Sequence, residues 1–266
     1  MITQRSSEAN SPMDTKNALL CAVQKILPTF NSEIDKPIQA SGTGFWLLTK
    51  RGNLYFVTNR HNIDPTMHGE NYSSRHLASV TILLRAYSQR DSLPCKDVFH
   101  LQVPIEELTI VWPKDNCDVV LLRAQRLSKP IDPNFVMLSI PDNAMTYHRK
   151  PEIIDSLYFV GFPAALRKSA EYDLPIVRSC TIASFPEIDY SQEDSTIPSS
   201  ETCLVEGLSF GGSSGSPVLR KHNEFLELFG IMSGHFREGS TGSLHAGLSY
   251  IAKATSIQRL VQDNAL

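Results

Sequence analysis

Gly212-Ser213-Ser214-Gly215-Ser216-Pro217 is the stretch on which the reading of this chain turns. A serine stands beside glycines, with apolar Leu204-Val205 upstream and Val218-Leu219 directly downstream. Glycine has no Cβ, so such a loop takes positive φ angles and aims successive backbone N–H groups into one small space. A serine nucleophile needs those surroundings: an exposed hydroxyl, and donors for the negative charge that develops on a carbonyl oxygen. Taken alone, a Gly/Ser loop is equally a plain turn.

Two further segments bear on that choice. Tyr55-Phe56-Val57-Thr58-Asn59-Arg60-His61-Asn62 is an apolar run ending in a polar turn that carries a histidine. Asn116-Cys117-Asp118-Val119-Val120-Leu121-Leu122 places an aspartate at the mouth of an apolar run. Histidine, with an unperturbed pKa of about 6.5, takes and returns a proton near neutrality. A carboxylate bonded to its far ring nitrogen fixes the tautomer and stabilises the imidazolium. Each residue alone has a bland reading, His61 as a surface or capping residue and Asp118 as a strand-edge residue. Together they stand in the order His, Asp, Ser, each in an apolar-strand context.

In these residues the chain resembles the chymotrypsin-like (trypsin-fold) serine peptidases. The Val-Thr-x-x-His pattern reads Val57-Thr58-Asn59-Arg60-His61, and the Asp-x-x-Leu-Leu pattern reads Asp118-Val119-Val120-Leu121-Leu122. The Gly-x-Ser-Gly-x-Pro pattern is Gly212-Ser213-Ser214-Gly215-Ser216-Pro217. Ser41-Gly42-Thr43-Gly44-Phe45 is similar to a strand entry of the HtrA-like and glutamyl-endopeptidase-like branches. Val160-Gly161-Phe162-Pro163 and Phe229-Gly230-Ile231 look like strands of their second barrel. The likeness spans residues 40–262. It implies an all-β fold of two six-stranded antiparallel β-barrels with a C-terminal helix. It further implies peptide hydrolysis with Ser214 as nucleophile, His61 as general base then acid, and Asp118 as the orienting carboxylate. The backbone N–H groups of Gly212 and Ser214 would form the oxyanion hole.

The resemblance also places the substrate. Leu208, six residues before the nucleophile, and the Ile231-Met232-Ser233-Gly234-His235 strand would wall the S1 pocket. Ser233, Gly234 and His235 would pair with the substrate backbone as an added strand. Leu208 replaces the aspartate that selects Arg or Lys in trypsin, and Met232 replaces a histidine of the glutamyl endopeptidases. An apolar or small P1 residue is therefore the expectation, with His235 open as a pocket-lining or a plain surface residue. Ser213 stands where many trypsin-like zymogens have an aspartate, so activation by an ion pair to a new amino terminus is not expected. Nothing resembling a PDZ segment follows the second barrel.

Composition sets bounds. The 266 residues are 41 % hydrophobic and 20 % charged, with net charge −3. That suits a soluble globular protein and gives no basic field for nucleic acid. No run of 18 apolar residues occurs, so no membrane partner is expected. Met1 to Asn17 is polar and lacks the pattern of a secretory signal, and the five cysteines (Cys21, Cys95, Cys117, Cys180, Cys203) are odd in number without a CxxC pair. These features favour reduced thiols and a cytoplasmic location. No cofactor and no metal are expected, because no His/Cys cluster has zinc-ligand spacing. Cys117 reads as a packing residue rather than a reactive thiol.

Strand signals dominate the chain. Gly44 to Leu48 and Asn53 to Thr58 read as a hairpin turned at Lys50-Arg51-Gly52. Further β-type runs are Ser79–Leu84, Asp118–Leu122, Ser156–Val160, Ile176–Val177, Thr202–Val205, Phe225–Met232 and Leu248–Ile251. Ile257, Leu260 and Val261 fall at helical offsets after a Thr255-Ser256 cap candidate. Lys129-Pro130-Ile131-Asp132-Pro133-Asn134 reads as a linker. The expected organisation is an extension over 1–20, a first barrel over 21–128 with His61 and Asp118, and a second barrel plus helix over 129–266 with Ser214. Between Arg178 and Arg220, Glu187, Asp189, Glu193, Asp194, Glu201 and Glu206 form an acidic stretch without Lys or Arg. It is either a solvated loop, a rim steering basic segments of a protein substrate, or a docking site for an activating partner. The rival functions are an inactive binding module on the same fold, and a peptidase latent until an activating partner protein orders its loops.

Overall fold

The computed structural model describes residues 20–33, 35–68, 74–88, 93–124, 138–164, 173–190, 201–223, 225–238 and 244–264. The first unit is a sheet of β1 (Val23–Ser32), β2 (Ile38–Gln39), β3 (Gly42–Leu48), β4 (Leu54–Thr58), β5 (Arg75–Ser88), β6 (Leu93–Pro104), β7 (Leu108–Val111), β8 (Val120–Ala124) and β9 (Ile140–Pro141). Its main path runs β6-β5-β1-β3-β4-β8-β7, with β2 paired to β1 and β9 to β3. Where six closed strands were expected, this unit is a half-barrel with an open path. The second unit is a closed six-stranded barrel in the order β10-β11-β12-β15-β14-β13. Its strands are β10 (Ser156–Gly161), β11 (Ile176–Ile182), β12 (Thr202–Glu206), β13 (Pro217–His222), β14 (Phe225–Glu238) and β15 (Leu244–Lys253). Helix α1 (Ala254–Asp263) follows. The proline-rich 129–134 segment lies outside the described residues. Beyond it, β9 still pairs in parallel with β3 of the first sheet.

The apolar runs around the motifs follow from where these strands lie. A strand's side chains alternate between faces. In β3, Phe45 and Leu47 face a core shared by the two units while Trp46 faces the first unit's own interior. Tyr55 and Val57 of β4 take the shared core, and Phe56 the interior. Leu121 of β8 does the same opposite Val120 and Leu122. Both faces are dry, so both must be apolar, and alternation disappears from the sequence. The shared core gains Val160, Phe162, Leu219 and Ile231 from the second barrel, and Ile257 and Leu260 from α1. Each such side chain contributes on the order of 1.5–3 kcal/mol when fully buried.

The expected hairpin forms: β3 and β4 pair antiparallel, and Gly52 takes φ +78 in its turn. The helix begins earlier than its hydroxyl pair suggested. Lys253 is the N-cap and makes no side-chain cap bond, while Thr255 and Ser256 sit inside the first turn and bond Glu201 instead.

Among the described residues, the most deeply buried charges lie away from the motifs. Arg220 on β13 donates to Glu227 on β14 (Nε to Oε2, 2.8 Å) and to Asp155 (Nη1 to Oδ2, 2.9 Å). The Glu227 side chain is 1 % exposed and also accepts from the His148 N–H at 2.7 Å. Burial by itself would raise the Glu227 and Asp155 carboxyls. Hydrogen bonds from the His148 and Glu152 backbones and from the Arg220 and Arg149 side chains outweigh it, and both lie below the ordinary range. Their stabilisation is complete above the unfolded-state values and is lost as pH falls through the lowered ones. Removing Glu227 strips the buried Arg220 of its most buried carboxylate and leaves only Asp155 opposite it, so Glu227→Ala should destabilise the protein by about 3–5 kcal/mol in urea unfolding. A loss near that of an exposed pair would contradict the buried geometry.

Candidate active site

His61 and Asp118 meet because β4 and β8 pair in register, Thr58 opposite Val120. The histidine lies three residues past Thr58 in a 3-10 turn (Arg60–Asn62), and the aspartate two residues before Val120. Asp118 Oδ2 lies 2.8 Å from His61 Nδ1, and its Oδ1 accepts the His61 backbone N–H at 3.0 Å. Two contacts to one carboxylate fix both the ring and the turn. They also set the tautomer, with Nδ1 protonated and Nε2 the accepting nitrogen. Burial alone would lower the imidazole pKa. The Asp118 charge and hydrogen bond oppose and exceed that effect, so His61 lies above its ordinary 6.5.

Ser214 lies on the loop between β12 and β13. Gly212 and Gly215 take φ +87 and +88, and neither has space for a side chain. A Cβ on Gly212 would meet Phe162 O at 2.4 Å, and one on Gly215 would meet Thr43 O at 1.9 Å. The loop is held to the first sheet by hydrogen bonds. The Thr43 N–H and Asn62 Nδ2 both donate to Ser214 O, at 2.8 and 3.1 Å. Thr43 Oγ1 donates to Gly212 O at 2.7 Å and accepts from the Phe162 N–H at 3.0 Å. The N–H groups of Ser213, Gly215 and Ser216 are used within the fold. Those of Gly212 and Ser214 meet no acceptor among the described residues, as donors awaiting an oxyanion would.

The loop is equally tied to β14. Gly215 N–H donates to Met232 O at 2.8 Å, and Met232 N–H to Ser216 O at 2.9 Å. The β14–β15 register shifts between Met232 and Gly234, leaving Ser233 at a bulge. Bulges re-aim side chains, and this one frees Ser233 for the site. Ser233 O accepts a long 3.5 Å bond from Ser214 Oγ, and its hydroxyl accepts from Asn59 Nδ2 at 2.9 Å. Asn59 also donates to Asp118 O at 2.8 Å. A chain of contacts thus runs from Asp118 through Asn59 and Ser233 to the Ser214 hydroxyl.

Of the residues expected to bind substrate, Ser233, Gly234 and His235 share β14, and Leu208 is 45 % exposed. Ser209 replaces Leu208 as the inward residue, at 1 % exposure, donating from Oγ to Gly234 O at 3.4 Å. Thr43, Asn59 and Asn62 were not read as site residues from the sequence. Nothing but their closeness to the glycine and histidine motifs marks them. The acidic stretch is partly neutralised by its neighbours: Glu187 pairs with Lys150, Asp189 with Lys253 and Glu201 with Arg259. Glu193 and Asp194 lie outside the described residues. Cys21, Cys117, Cys180 and Cys203 are buried and lie outside any disulfide among the described residues. Burial pushes the Cys117 thiol up to about 12, with the Asp115 charge adding to it, so it packs rather than reacts. The Cys95 side chain is outside the described set. No group of three or more His, Cys, Asp or Glu suited to a metal occurs among the described residues, and no helix there is long and apolar enough to cross a membrane.

This is the fold of the chymotrypsin-like serine peptidases: a β half-barrel and a closed β-barrel meeting over the loop that carries Ser214. Solved structures with that fold cover nearly all of the chain. Deg5 matches with a TM-score of 0.52 and 11 % identity over 95 % of this chain and 94 % of its own. The protease Anisep from Arthrobacter nicotinovorans matches with a TM-score of 0.52 and 14 % identity over 92 % and 96 %. No family model matches the chain, and no curated protein does so.

The His61–Asp118 pair makes a measurable demand. The His61 imidazole should titrate by NMR with a midpoint above 6.5, and Asp118→Asn should drop it below that value, because burial is then unopposed. The pair's stabilisation is full below the unfolded-state pKa and fades as pH rises through the raised one. An unmoved midpoint in Asp118→Asn would show that the carboxylate does not govern the ring.

Proposed function

We propose that the chain is a serine endopeptidase in which Ser214, His61 and Asp118 act together. The observation that carries this reading is the two-contact grip of Asp118 on His61 beside a serine held in a glycine loop with two unused N–H donors. Ser214 Oγ attacks the scissile carbonyl carbon and gives its proton to His61 Nε2. The weak 3.5 Å bond to Ser233 O is readily surrendered for that step. The carbonyl oxygen, now negative, takes the N–H groups of Gly212 and Ser214, each worth about 2.7–4 kcal/mol in the transition state. Collapse expels the amine with the proton from His61 and leaves an acyl-Ser214. Water, deprotonated by His61, then attacks the acyl carbon and releases the acid. Asp118 remains ionised and holds the imidazolium.

The substrate is a protein or peptide whose backbone adds to β14 at Ser233 to His235. Four buried thiols outside any disulfide among the described residues support work in a reducing compartment such as the cytoplasm. Ser213 is 1 % exposed and offers no carboxylate, so activation through an ion pair at that residue has no partner.

Ser214→Ala should abolish labelling by a fluorophosphonate probe and cleavage of unfolded casein while the unfolding transition stays cooperative. Persistent turnover would sink the assignment. Gly212→Ala forces a Cβ against Phe162 O at positive φ and should lower kcat by about 10²–10³-fold, as loss of an oxyanion donor does.

A further inference from the structure

The side chains grouped beside the Ser214 loop offer more hydrogen-bond donors than acceptors, and this decides what they can hold. His235 on β14 lies opposite Ser249, and His245 on β15 opposite Arg237. The two imidazoles stack with centroids 4.4 Å apart and planes 15° apart. His245 is approached by two N–H groups, Gly247 N–H at Nδ1 (2.8 Å) and Ser209 N–H at Nε2 (3.2 Å). A neutral imidazole has one accepting nitrogen, and the shorter bond claims Nδ1. The Nε2–H of His245 and the N–H of Ser209 are then two donors facing each other.

The rest of the lining repeats this excess. His235 Nε2 accepts from Arg237 Nε at 3.3 Å, so its Nδ1–H is directed to Ser209 Oγ at 3.4 Å. The Arg178 guanidinium lies over the Phe210 ring at 4.7 Å, and its Nη1 is buried with no acceptor. Among the described residues no Asp or Glu side chain bonds Arg178, Arg237, His235 or His245. Burial holds both imidazoles below 6.5, helped at His235 by His245 and Arg237 and at His245 by Arg178 and Arg237. Near neutral pH they are uncharged donors, and the arginines supply the positive charge.

In the peptidase reading, this group stands where a P1 side chain would go. Ser209 Oγ bonds the carbonyl of Gly234, and Ser214 Oγ that of Ser233, so pocket and nucleophile touch consecutive residues of one strand. We propose that this pocket receives the carboxylate of an acidic P1 side chain. The proposal rests on the peptidase reading above. A carboxylate brings two oxygens and about four lone-pair sites to the Ser209 N–H, the His245 Nε2–H and Arg178 Nη1. An apolar P1 chain, the expectation from Leu208, would leave these donors buried and unpaired, and Leu208 itself lies half-exposed at the rim.

The full chain is assayed on peptides identical except at P1. P1 Glu or Asp should be cleaved with kcat/KM at least about tenfold above the amide isostere Gln or Asn, because a polar site rejects ligands that leave its groups unpaired. Arg178→Leu and His245→Ala should each bring the acid-to-amide ratio towards one, and the ratio within one variant is its own control for folding. A preference for P1 Leu or Arg, or a ratio indifferent to both substitutions, overturns the proposal. A second readout needs no turnover. Labelled peptides ending in Glu should bind the Ser214→Ala chain at least about tenfold more tightly than peptides ending in Gln by fluorescence anisotropy, and equal affinities again overturn it. Fluorophosphonate labelling separates the two levels. Labelling without acid preference removes the pocket assignment alone, and acid-selective binding without labelling removes the peptidase reading while the carboxylate site stands.

Discussion

Thr43 O stands 1.9 Å from where a Gly215 side chain would begin, and the geometry of the site descends from that contact. Only a glycine at positive φ lets the loop press so closely on β3. Once there, the loop meets Thr43 with two hydrogen bonds, through Ser214 O and Gly212 O, and the Phe162 N–H past the end of β10 adds a third to the same threonine. Each net bond is worth about 1 kcal/mol, but a broken one leaves a buried carbonyl unpaired at about 1–3 kcal/mol. One threonine of the first unit therefore positions the backbone on both sides of the proposed nucleophile. Thr58 and Asn62, which frame His61 in sequence, complete the same seam by bonding Thr43 O and Ser214 O.

What holds the halves together is apolar, and this explains what could be read in the chain and what could not. The motifs were legible because each combines a short polar signature with a strand dry on both faces, as in Tyr55-Phe56-Val57 and Val119-Val120-Leu121-Leu122. The β3–β4 hairpin was legible from its glycine turn. By contrast β1 was not read as a strand. It carries Lys25, Pro28 and Asn31, and a register shift after Thr29 accommodates the proline against β5. The half-barrel was not legible either. Whether a sheet closes depends on strand tilt and stagger, which no local pattern records. Thr43, Asn59 and Asn62 escaped notice because their work is done across 59 to 174 residues of chain.

The buried charges divide by purpose. Arg220, Glu227 and Asp155 form a network whose members satisfy one another and which touches no residue of the proposed site. Such pairs cost desolvation to bury, and their clearest effect is on which strands may sit together. Here they fix β13 against β14 at the end remote from the Ser214 loop, Arg220 opposite Glu227 in register. The His61–Asp118 pair is also satisfied on its Nδ1 side, where the carboxylate sets the tautomer of the ring. The crevice of His235, His245 and Arg178 is the third kind, with donors in excess and no carboxylate of the described chain to meet them.

The Ser214 loop, the surroundings of the His61–Asp118 pair and the donor-rich side chains meet on a five-residue run of β14. Ile231 pairs with Pro217 at the foot of the loop, Met232 O takes the Gly215 N–H, Ser233 reaches both Asn59 and Ser214, Gly234 O takes the Ser209 hydroxyl, and His235 lines the crevice. A regular strand would send alternate residues to opposite faces and could not serve all these contacts. The bulge at Ser233 breaks that alternation where it must. Gly234 then lies directly over Tyr250, whose hydroxyl would be 2.4 Å from any Cβ there. Burial raises the Tyr250 phenol, and the Asp118 charge raises it further. In the proposed reading, the strand that would receive substrate and the pair that would move the proton thus share one close-packed neighbour.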